Sequence, residues 1–439
     1  DGGMSLPRYP EYKDSGVDWL GELPAHWAVA PLKRGYDVRL GKMLQPDRAS
    51  DDDILAPYLR AANIQWGGVE LENLKSMWFS TRERELLALK KGDLLVSEGG
   101  DVGRSSLWQE ELEGCYFQNS VNRVRSRGTD RTDYLHYWMA TIKSKGYVDV
   151  LCNKSTIAHF TAEKVEAVPT PYPSPEEQRQ IAAFLDYETA RIDALIAEQE
   201  KLLALLAEKR QATISHAVTR GLDPNVPMKD SGIAWLGEVP AHWETYRLGA
   251  LFREVNEPGA DDLPVLSVSI HSGVSDRELG EDDLDRKVSR SEDRSKYKSV
   301  APGDLTYNMM RAWQGAFGSV AVTGMVSPAY VVGRPKKDFL TSYVEWVLRM
   351  PVAASEIRRH SRGITDFRLR LYWEEFKEIK IALPPKREQL EIAEFVRGVS
   401  ARIDSLQLQA EHNIVLLQER RSALISAAVT GQIDVRGIA

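Results

Sequence analysis

Residues 13–27 read KDSGVDWLGELPAHW, and residues 229–243 read KDSGIAWLGEVPAHW. Twelve of these fifteen positions are identical, and the two segments lie 216 residues apart. Solenoid repeats span about 20–50 residues, so a period this long is typical of duplicated domains instead. We therefore predict two copies of one globular module.

A second repeated segment marks two long helices. The sequence ARID occupies residues 190–193 and again residues 401–404, at an offset of 211. Residues 176–220 contain no glycine or proline. Residues 386–429 contain one glycine, Gly398, and no proline. Uninterrupted runs of this length are typical of long helices. The predicted order along the chain is globular module, helix, globular module, helix.

Both helices carry apolar side chains in a seven-residue register, at intervals of seven or fourteen residues. These positions are Leu185, Ile192 and Leu206 in the first helix and Val396, Ile403 and Leu417 in the second. A heptad repeat is typical of a coiled coil, so we predict that the two helices pair antiparallel. The alternative is that each amphipathic helix packs on its own module. Ile214 and Ile425 recur near the helix ends, and we expect them to dock two copies of one partner.

The composition excludes several classes of protein. The 439 residues are 43% hydrophobic and 28% charged, which is ordinary for a globular chain of two or three domains. No apolar run reaches the ~18 residues that a membrane helix needs, and residues 1–12 lack the apolar core of a secretory signal. Cys115 and Cys152 offer no disulfide framework. We therefore expect a cytoplasmic protein.

Motifs of catalysis and of metal binding are absent from the sequence. It has no P-loop, no G-x-G-x-x-G, no H-E-x-x-H and no G-x-S-x-G, and its histidines lack metal-ligand spacing. Residues 327–330, SPAY, resemble a loop of amino-methyltransferases, but Ala329 replaces a proline and no glycine-rich cofactor loop precedes it. We predict that the chain is not an enzyme and binds no cofactor or metal itself.

Each module instead carries a strand that runs into a glycine-flanked loop. Residues 92–104 read GDLLVSEGGDVGR, and residues 303–316 read GDLTYNMMRAWQGA. Arg, Asn and Gln side chains hydrogen-bond base edges, and Arg also binds phosphate. The net charge is −7, yet residues 356–370 hold five arginines against two acids. Local basic clusters on an acidic protein favour a DNA reader whose other surfaces bind proteins, and the alternative is that they are ordinary solvated faces.

Together these features resemble the specificity subunit of type I restriction–modification enzymes. The resemblance is carried by GDLLVSEGG, GR and FQNSVNR in the first module, by GDLTYNMMRAWQGAFG and SPAY in the second, and by the repeated EQ, IA, F and ARID of the helices. It implies a mixed α/β (α+β) fold in which two globular target recognition domains are separated by two long helices. The helices would pair as an antiparallel coiled coil with pseudo-two-fold symmetry.

The resemblance also implies a division of the chain and a function. The first target recognition domain would span residues 1–172, the central helical spacer 173–220, the second target recognition domain 221–383 and the C-terminal helical spacer 384–439. The chain would recognise a bipartite, asymmetric sequence in double-stranded DNA. It would hold two modification (methyltransferase) subunits together with restriction (translocase and nuclease) subunits. S-adenosylmethionine, ATP and Mg would then belong to those partners.

The candidate DNA contacts lie in the two glycine-flanked loops, the segments that follow them and the arginine-rich stretch. They are Arg104, Ser105, Gln118, Asn119, Asn122, Arg123 and Lys154 in the first module, and Asn308, Arg311, Trp313, Gln314, Arg362, Arg368 and Arg370 in the second. The alternative function is a two-module protein-binding adaptor without DNA specificity.

Overall fold

The computed structural model describes residues 6–152, 159–260, 262–279, 296–363 and 369–438. The chain forms two compact units. Unit 1 comprises Asp1–Glu200 with Glu411–Ala439, and unit 2 comprises Lys201–Ala410. Unit 2 is therefore inserted, along the sequence, between the two parts of unit 1. The boundaries between the two units fall within the two long helices. They do not test the four segments derived from the sequence, whose bounds stay a prediction.

Unit 1 is built mainly from short strands. Its strands are β1 (Tyr12–Asp14), β2 (Glu22–Pro24), β3 (Ala28–Pro31), β4 (Tyr36–Leu40), β5 (Ile54–Leu59), β6 (Ile64–Gln65), β7 (Gly68–Val69), β8 (Lys75–Phe79), β9 (Leu94–Ser97), β10 (Ser105–Leu107), β11 (Tyr116–Phe117), β12 (Val121–Ser126) and β13 (Pro169–Tyr172). Its helices are α1 (Thr81–Leu87), α2 (Thr132–Ser144), α3 (Tyr147–Leu151), α4 (Ala162–Ala167), the first part of α5 (Pro175–Arg220) and the last part of α10 (Lys386–Val429). The two larger sheets have the orders β10-β9-β12-β4 and β11-β5-β8.

Unit 2 has a similar content of strands and helices. Its strands are β14 (Met228–Asp230), β15 (Glu238–Pro240), β16 (Glu244–Arg247), β17 (Phe252–Val255), β18 (Val268–Ser269), β19 (Gly273–Val274), β20 (Lys298–Val300), β21 (Leu305–Asn308), β22 (Phe317–Ser319), β23 (Gly324–Val326), β24 (Tyr330–Pro335) and β25 (Lys380–Leu383). Its helices are the last part of α5, α6 (Leu248–Leu251), α7 (Thr341–Leu348), α8 (Pro351–His360), α9 (Trp373–Phe376) and the first part of α10. Its four-stranded sheet has the order β17-β24-β21-β22.

The four-stranded sheets of the two units are copies of one another. In both, every neighbouring pair is antiparallel, and the strand order along the chain is the same. The hairpin β1-β2 likewise corresponds to β14-β15, and the pair β3-β13 corresponds to β16-β25. The duplication that the sequence predicts is therefore present in the fold, and the mixed α/β class is confirmed.

A buried ion pair recurs in the two sheets. Asp93, which is 1% exposed, accepts hydrogen bonds from Nε and Nη2 of Arg125 at 2.6 and 2.7 Å. In unit 2, Asp304 accepts from Nε and Nη2 of Arg334, both at 2.9 Å. This hydrogen-bonded contact raises the pKa of Arg334. Paired geometry of this kind compensates the cost of burying a carboxylate.

The helix that follows each sheet is anchored in the same way. Thr132 Oγ1 donates to the Gly92 carbonyl at 2.6 Å, and Thr341 Oγ1 donates to the Gly303 carbonyl at 2.6 Å. The second residue of each pair opens the GDL motif. The start of α2 therefore corresponds to the start of α7, at an offset of 209.

The repeated PAHW and EQ motifs meet in space, although they lie far apart in the sequence. His26 Nε2 lies 3.0 Å from Glu177 Oε2, and His242 Nε2 lies 2.7 Å from Glu388 Oε2. These glutamates lie in the first turns of α5 and α10, where a carboxylate also suits the positive end of the helix dipole. The two motifs thus fix each hairpin segment to the start of its long helix.

In unit 1 the first part of α5 runs antiparallel to the last part of α10. Leu185 near the start of α5 packs in one core cluster with Ile425 near the end of α10. Further along α5, Asp193 accepts hydrogen bonds from Arg421 Nε and Nη2 at 2.8 and 3.2 Å. The contact moves forward on one helix and backward on the other, which defines antiparallel pairing.

Unit 2 contains the matching arrangement with the helices exchanged. Val218 near the end of α5 shares a core cluster with Val396 near the start of α10, and Arg210 pairs with Asp404. The heptad positions Leu185, Ile192, Leu206, Val396 and Ile403 are all buried, and Leu417 is partly buried. Antiparallel pairing of the two helices is confirmed within each unit. The alternative, in which each helix packs only on its own module, is not what the structure shows.

Candidate nucleic-acid interface

In unit 1, three loops gather at one end of the four-stranded sheet. They are residues 41–45, 98–104 and 118–120, and we call them the loop edge of unit 1. The Glu98 amide donates to the Ser120 carbonyl at 2.9 Å, and the Asn119 amide donates to the Lys42 carbonyl at 2.9 Å. These backbone bonds hold the glycine-flanked loop and the turn at Gln118 and Asn119 side by side, as recognition of one ligand requires.

Arg104 lies at this edge, held from two sides. Its Nη2 donates to the Ala61 carbonyl at 3.1 Å, and its Nη1 lies 3.9 Å from Asp101 Oδ2. The other oxygen of Asp101 lies 3.2 Å from Lys143 Nζ. The Arg104 side chain is 19% exposed, and its Nε is buried. The structure thus places Arg104 at the loop edge of unit 1, and its contact with DNA stays a prediction.

The candidates on the strands themselves are buried. Asn122 is 0% exposed and its Nδ2 donates to the Phe160 carbonyl at 2.8 Å. Arg123 is 3% exposed and its Nη2 donates to Asp37 Oδ2 at 2.7 Å, while Ser105 is also 0% exposed. The pKa of the Arg123 guanidinium is lowered, chiefly because burial removes water from the charged group. DNA contact by these three residues stays a prediction, and their burial favours a structural role.

Unit 2 brings its candidate residues together more closely. The Leu371 amide donates to the Met309 carbonyl at 2.9 Å, and Arg362 and Arg370 exchange two backbone hydrogen bonds of 2.9 Å. These bonds place the arginine-rich segment against the loop that follows β21. We call residues 308–316 together with residues 362 and 370 the loop edge of unit 2.

Polar side chains of this loop are organised by short-range contacts. Asn308 Oδ1 accepts from the Met310 amide at 3.0 Å, and Arg311 Nε donates to Gln314 Oε1 at 3.0 Å. The Arg358 guanidinium lies over the Trp313 ring, 5.5 Å from its centroid. The Arg362 side chain is 72% exposed and pairs with Glu375. Several donors that suit base edges and phosphates are therefore presented on one surface.

Two candidates, Lys154 and Arg368, lie outside the described residues. The sequence-based set also missed the apolar side chains at these edges. Met43 is 74% exposed, Leu44 is 57% exposed and Met310 is 40% exposed. An exposed large apolar group beside a recognition loop indicates a contact surface. The sequence signal was weak because apolar residues in short runs usually indicate core.

Candidate groups for chemistry are few in the described part of the chain. Among the described residues, no group of three or more His, Cys, Asp or Glu could hold a metal ion. Both cysteines are free and buried, and burial raises the pKa of the Cys115 thiol to about 12, which disfavours the nucleophilic thiolate. No described helix is long and apolar enough to cross a membrane.

The two units share a frame, which consists of the four-stranded sheet, the Asp–Arg ion pair and the His–Glu contact to a long helix. Two copies of this frame, each with a loop edge rich in Arg, Asn and Gln, define a two-module recognition protein. Residues 41–204 match the family described as type I restriction modification DNA specificity domain. The specificity subunit of the type I restriction enzyme EcoKI from Escherichia coli (strain K12) is 22% identical over 95% of this chain and 91% of its own length. The StySPI specificity subunit from Salmonella potsdam is also 22% identical, with the same coverage.

Solved structures agree on the fold. The HsdS subunit from Thermoanaerobacter tengcongensis superposes with a TM-score of 0.54 at 16% identity, covering 93% of this chain and 98% of that one. A chain from a study of complex assembly and conformational transition of the type I R-M system gives a TM-score of 0.67 at 14% identity, with the same coverage. Over 95% of its length the chain is thus similar to specificity subunits of type I restriction enzymes, and residues 41–204 match the DNA specificity domain of that family. An adaptor without DNA specificity is not supported.

Proposed function

We propose that this DNA specificity subunit reads a bipartite, asymmetric site in double-stranded DNA, with each unit reading one half. The observation that carries the proposal is the contrast between a repeated frame and divergent loop edges. Unit 1 offers Arg104, Gln118 and Asn119 together with the exposed apolar side chains of Met43 and Leu44. Unit 2 offers Arg311, Gln314 and Arg362. Two different sets of donors read two different base sequences.

The proposal extends to the partners of the chain. We propose that it holds two methyltransferase subunits and also restriction subunits, and that S-adenosylmethionine, ATP and Mg bind to those partners. The support is that exposed leucines recur on the two long helices. Leu195 is 53% exposed and Leu406 is 47% exposed, while Leu205 and Leu416 are 52% and 48% exposed. Each pair has the helical offset of 211, which suits two copies of one partner.

These leucines are better docking candidates than Ile214 and Ile425. Ile425 is 4% exposed and belongs to the core of unit 1, and Ile214 is partly buried against the core of unit 2. A charge at either isoleucine would damage a core, because burying an unpaired charge is costly. Docking through Ile214 and Ile425 stays a prediction, and a surface variant tests partner binding more cleanly.

The function is tested by mapping methylation in cells that carry this chain with its methyltransferase and restriction partners. We expect one methylated motif with two unlike halves separated by unspecified bases. The purified complex should bind a duplex carrying that motif with an affinity that falls as salt rises, because phosphate contacts release counterions. A complex whose binding ignores both the motif and the salt concentration would contradict the proposal.

The partner proposal is tested by native mass spectrometry of the complex. Leu195→Asp should remove one methyltransferase subunit, Leu406→Asp the other, and the double variant both. Leu222→Asp, an exposed leucine of the segment after α5, is the matched control and should leave both subunits bound. Retention of two methyltransferase subunits by the double variant would place the partner elsewhere.

A further inference from the structure

Unit 1 exposes three large apolar side chains in one short stretch. Leu40 is 42% exposed, Met43 is 74% exposed and Leu44 is 57% exposed. We call these three residues the apolar patch. Removing apolar side chains from water is favourable, so a ligand that covers the patch would be stabilised.

The backbone fixes the patch beside the turn at Gln118 and Asn119. The Gly41 amide donates to the Val121 carbonyl at 3.1 Å, and the Lys42 amide donates to the Phe117 carbonyl at 3.1 Å. A Cβ on Gly41 would lie 2.3 Å from the Gln118 carbonyl oxygen, so only glycine permits this approach. The Gln45 carbonyl accepts from the Trp78 amide at 3.2 Å. The loop is thus anchored on both sides, and Met43 and Leu44 form its tip.

The tip is apolar rather than cationic, although a lysine adjoins it. Lys42 is part of an ion pair with Glu83, and its side chain is only 8% exposed. Its ammonium also lies 5.4 Å from the centroid of the Phe79 ring. Lys42 is therefore engaged by the protein, and Met43 and Leu44 supply the chemistry of the tip.

The comparison of the two units indicates what covers the patch. At the offset of 216 that relates β4 to β17, the equivalents of Leu40, Met43 and Leu44 are Asn256, Gly259 and Ala260. The patch is therefore absent from the corresponding place in unit 2. A partner that binds the chain twice needs surfaces that recur, as the exposed leucines of the helices do. A surface present in one unit only suits a ligand that differs between the units.

The ligand that differs between the units, under the function proposed above, is the DNA half-site. We infer that Met43 and Leu44 contact the DNA half-site read by unit 1 and recognise the C5-methyl group of a thymine in its major groove. This methyl is the apolar feature that distinguishes thymine on a base edge. The flexible thioether of Met43 suits such a contact, because Met adapts its shape to an irregular surface. The inference rests on the proposed function and specifies part of its code.

The test replaces each thymine of the recognised site in turn by deoxyuridine, which lacks only the methyl group. Binding of these duplexes by the complete complex is measured with the wild-type chain, with Met43→Ala and with Leu44→Ala. We expect one thymine in one half-site whose replacement weakens wild-type binding about fourfold, the value of one buried methyl group. At least one variant should bind the thymine and deoxyuridine duplexes equally well.

Leu222→Ala is the control, since Leu222 is 41% exposed in the segment that follows α5. It should keep the wild-type sensitivity to the methyl group. Specific binding in which no deoxyuridine has an effect overturns the inference, as does sensitivity retained by both tip variants. A wild-type complex with no sequence preference instead overturns the proposed function, so the two failures are distinguishable.

Discussion

Unit 1 and unit 2 share a frame and differ at one edge of it. Both have the same antiparallel sheet, the same buried Asp–Arg pair and the same His–Glu contact between a hairpin segment and a long helix. At the loop edge, unit 1 presents Arg104 and the apolar Met43 and Leu44, whereas unit 2 presents Arg311, Gln314 and an arginine-rich segment. This contrast suggests a way to assign a role to a surface of the protein, namely whether the surface is present in both units or in one unit only. Under the proposed function, recurring surfaces would serve the fold and shared partners, and unique ones would serve the half-sites.

The frames also differ at one interior position. His136 in α2 and Glu345 in α7 are equivalent at the offset of 209, and both lie under an edge strand. His136 Nδ1 lies 3.3 Å from Ser105 Oγ, whereas Glu345 Oε2 accepts from the Ser319 amide and hydroxyl, both at 2.8 Å. Burial, with a smaller contribution from Arg421, lowers the pKa of His136 to about 4. A neutral imidazole in unit 1 thus takes the place of a carboxylate in unit 2.

The largest effect should come from the shared ion pairs. Asp93→Asn removes the carboxylate that pairs with Arg125, and we expect it to lower the free energy of unfolding of unit 1 by about 3 kcal/mol. Asp304→Asn should cost unit 2 less, because Arg334 keeps its pair with Glu257 at 2.9 Å. Hydrogen exchange of peptides from β12 and β24 measures the two units separately. The exposed Asp51→Asn is the control and should change neither. Equal losses in both units after either change would show that the units do not unfold independently.

The loop edges should separate the two half-sites. Arg311→Ala or Gln314→Ala should weaken recognition of one half by about 1–3 kcal/mol for a lost bidentate base contact. Arg104→Ala should affect only the other half. Methylation profiling gives the bases tolerated at each position, and Arg247→Ala, an exposed arginine in β16, should leave both halves unchanged. If both halves relax together after a single substitution, the comparison fails.

The pH dependence should differ between the units because of His136. Its pKa is depressed from 6.5 to about 4 in the folded state, so the unfolded chain binds a proton first as the pH falls. The stability of unit 1 is therefore full above pH 6.5 and falls as the pH approaches 4. Between pH 6.5 and 5.5 we expect a loss of about 1 kcal/mol, measured by hydrogen exchange in α2. His136→Asn should abolish this loss, and an unchanged slope in that variant would assign it to other groups.

The smallest effect should come from the ion pairs between the long helices. Arg421→Ala and Arg210→Ala remove pairs with Asp193 and Asp404, carboxylates that are 52% and 57% exposed. Solvent screening limits such pairs to about 0.2–1 kcal/mol. Urea unfolding should show equal, small losses for the two variants, reduced further at high salt. A loss above about 2 kcal/mol in one variant alone would show that the helix pairs are not equivalent.

The repeated frame could be predicted from the sequence because its residues recur at fixed offsets. Heptad positions such as Leu185 and Ile403 point to one helix face by periodicity alone, and both are buried. The antiparallel pairing of α5 and α10 was predicted from these heptads as well. The residues at which each long helix divides between the two units could not be predicted, since they depend on contacts more than 200 residues apart. The sequence pattern assigned each long helix to a single spacer instead.

The loop edges were less predictable, because exposure depends on packing. Asn122 and Arg123 look like surface donors in the sequence, yet a neighbouring loop carbonyl and Asp37 engage them inside unit 1. Met43 and Leu44 look like core and are exposed at a loop tip. Residue type alone therefore did not separate buried side chains from exposed ones, because packing in the fold decides exposure.

The insertion of unit 2 within unit 1 has a consequence for synthesis on the ribosome. The core of unit 1 includes Ile425, Ala428, Val429 and Val435, which are translated after all of unit 2. Unit 2 is contiguous and can close as soon as residue 410 has emerged. At about 5–20 residues per second, the 210 residues of unit 2 delay the completion of unit 1 by about 10–40 s. The module whose synthesis begins first is thus the last to be completed, and its nascent apolar surfaces need protection during that interval.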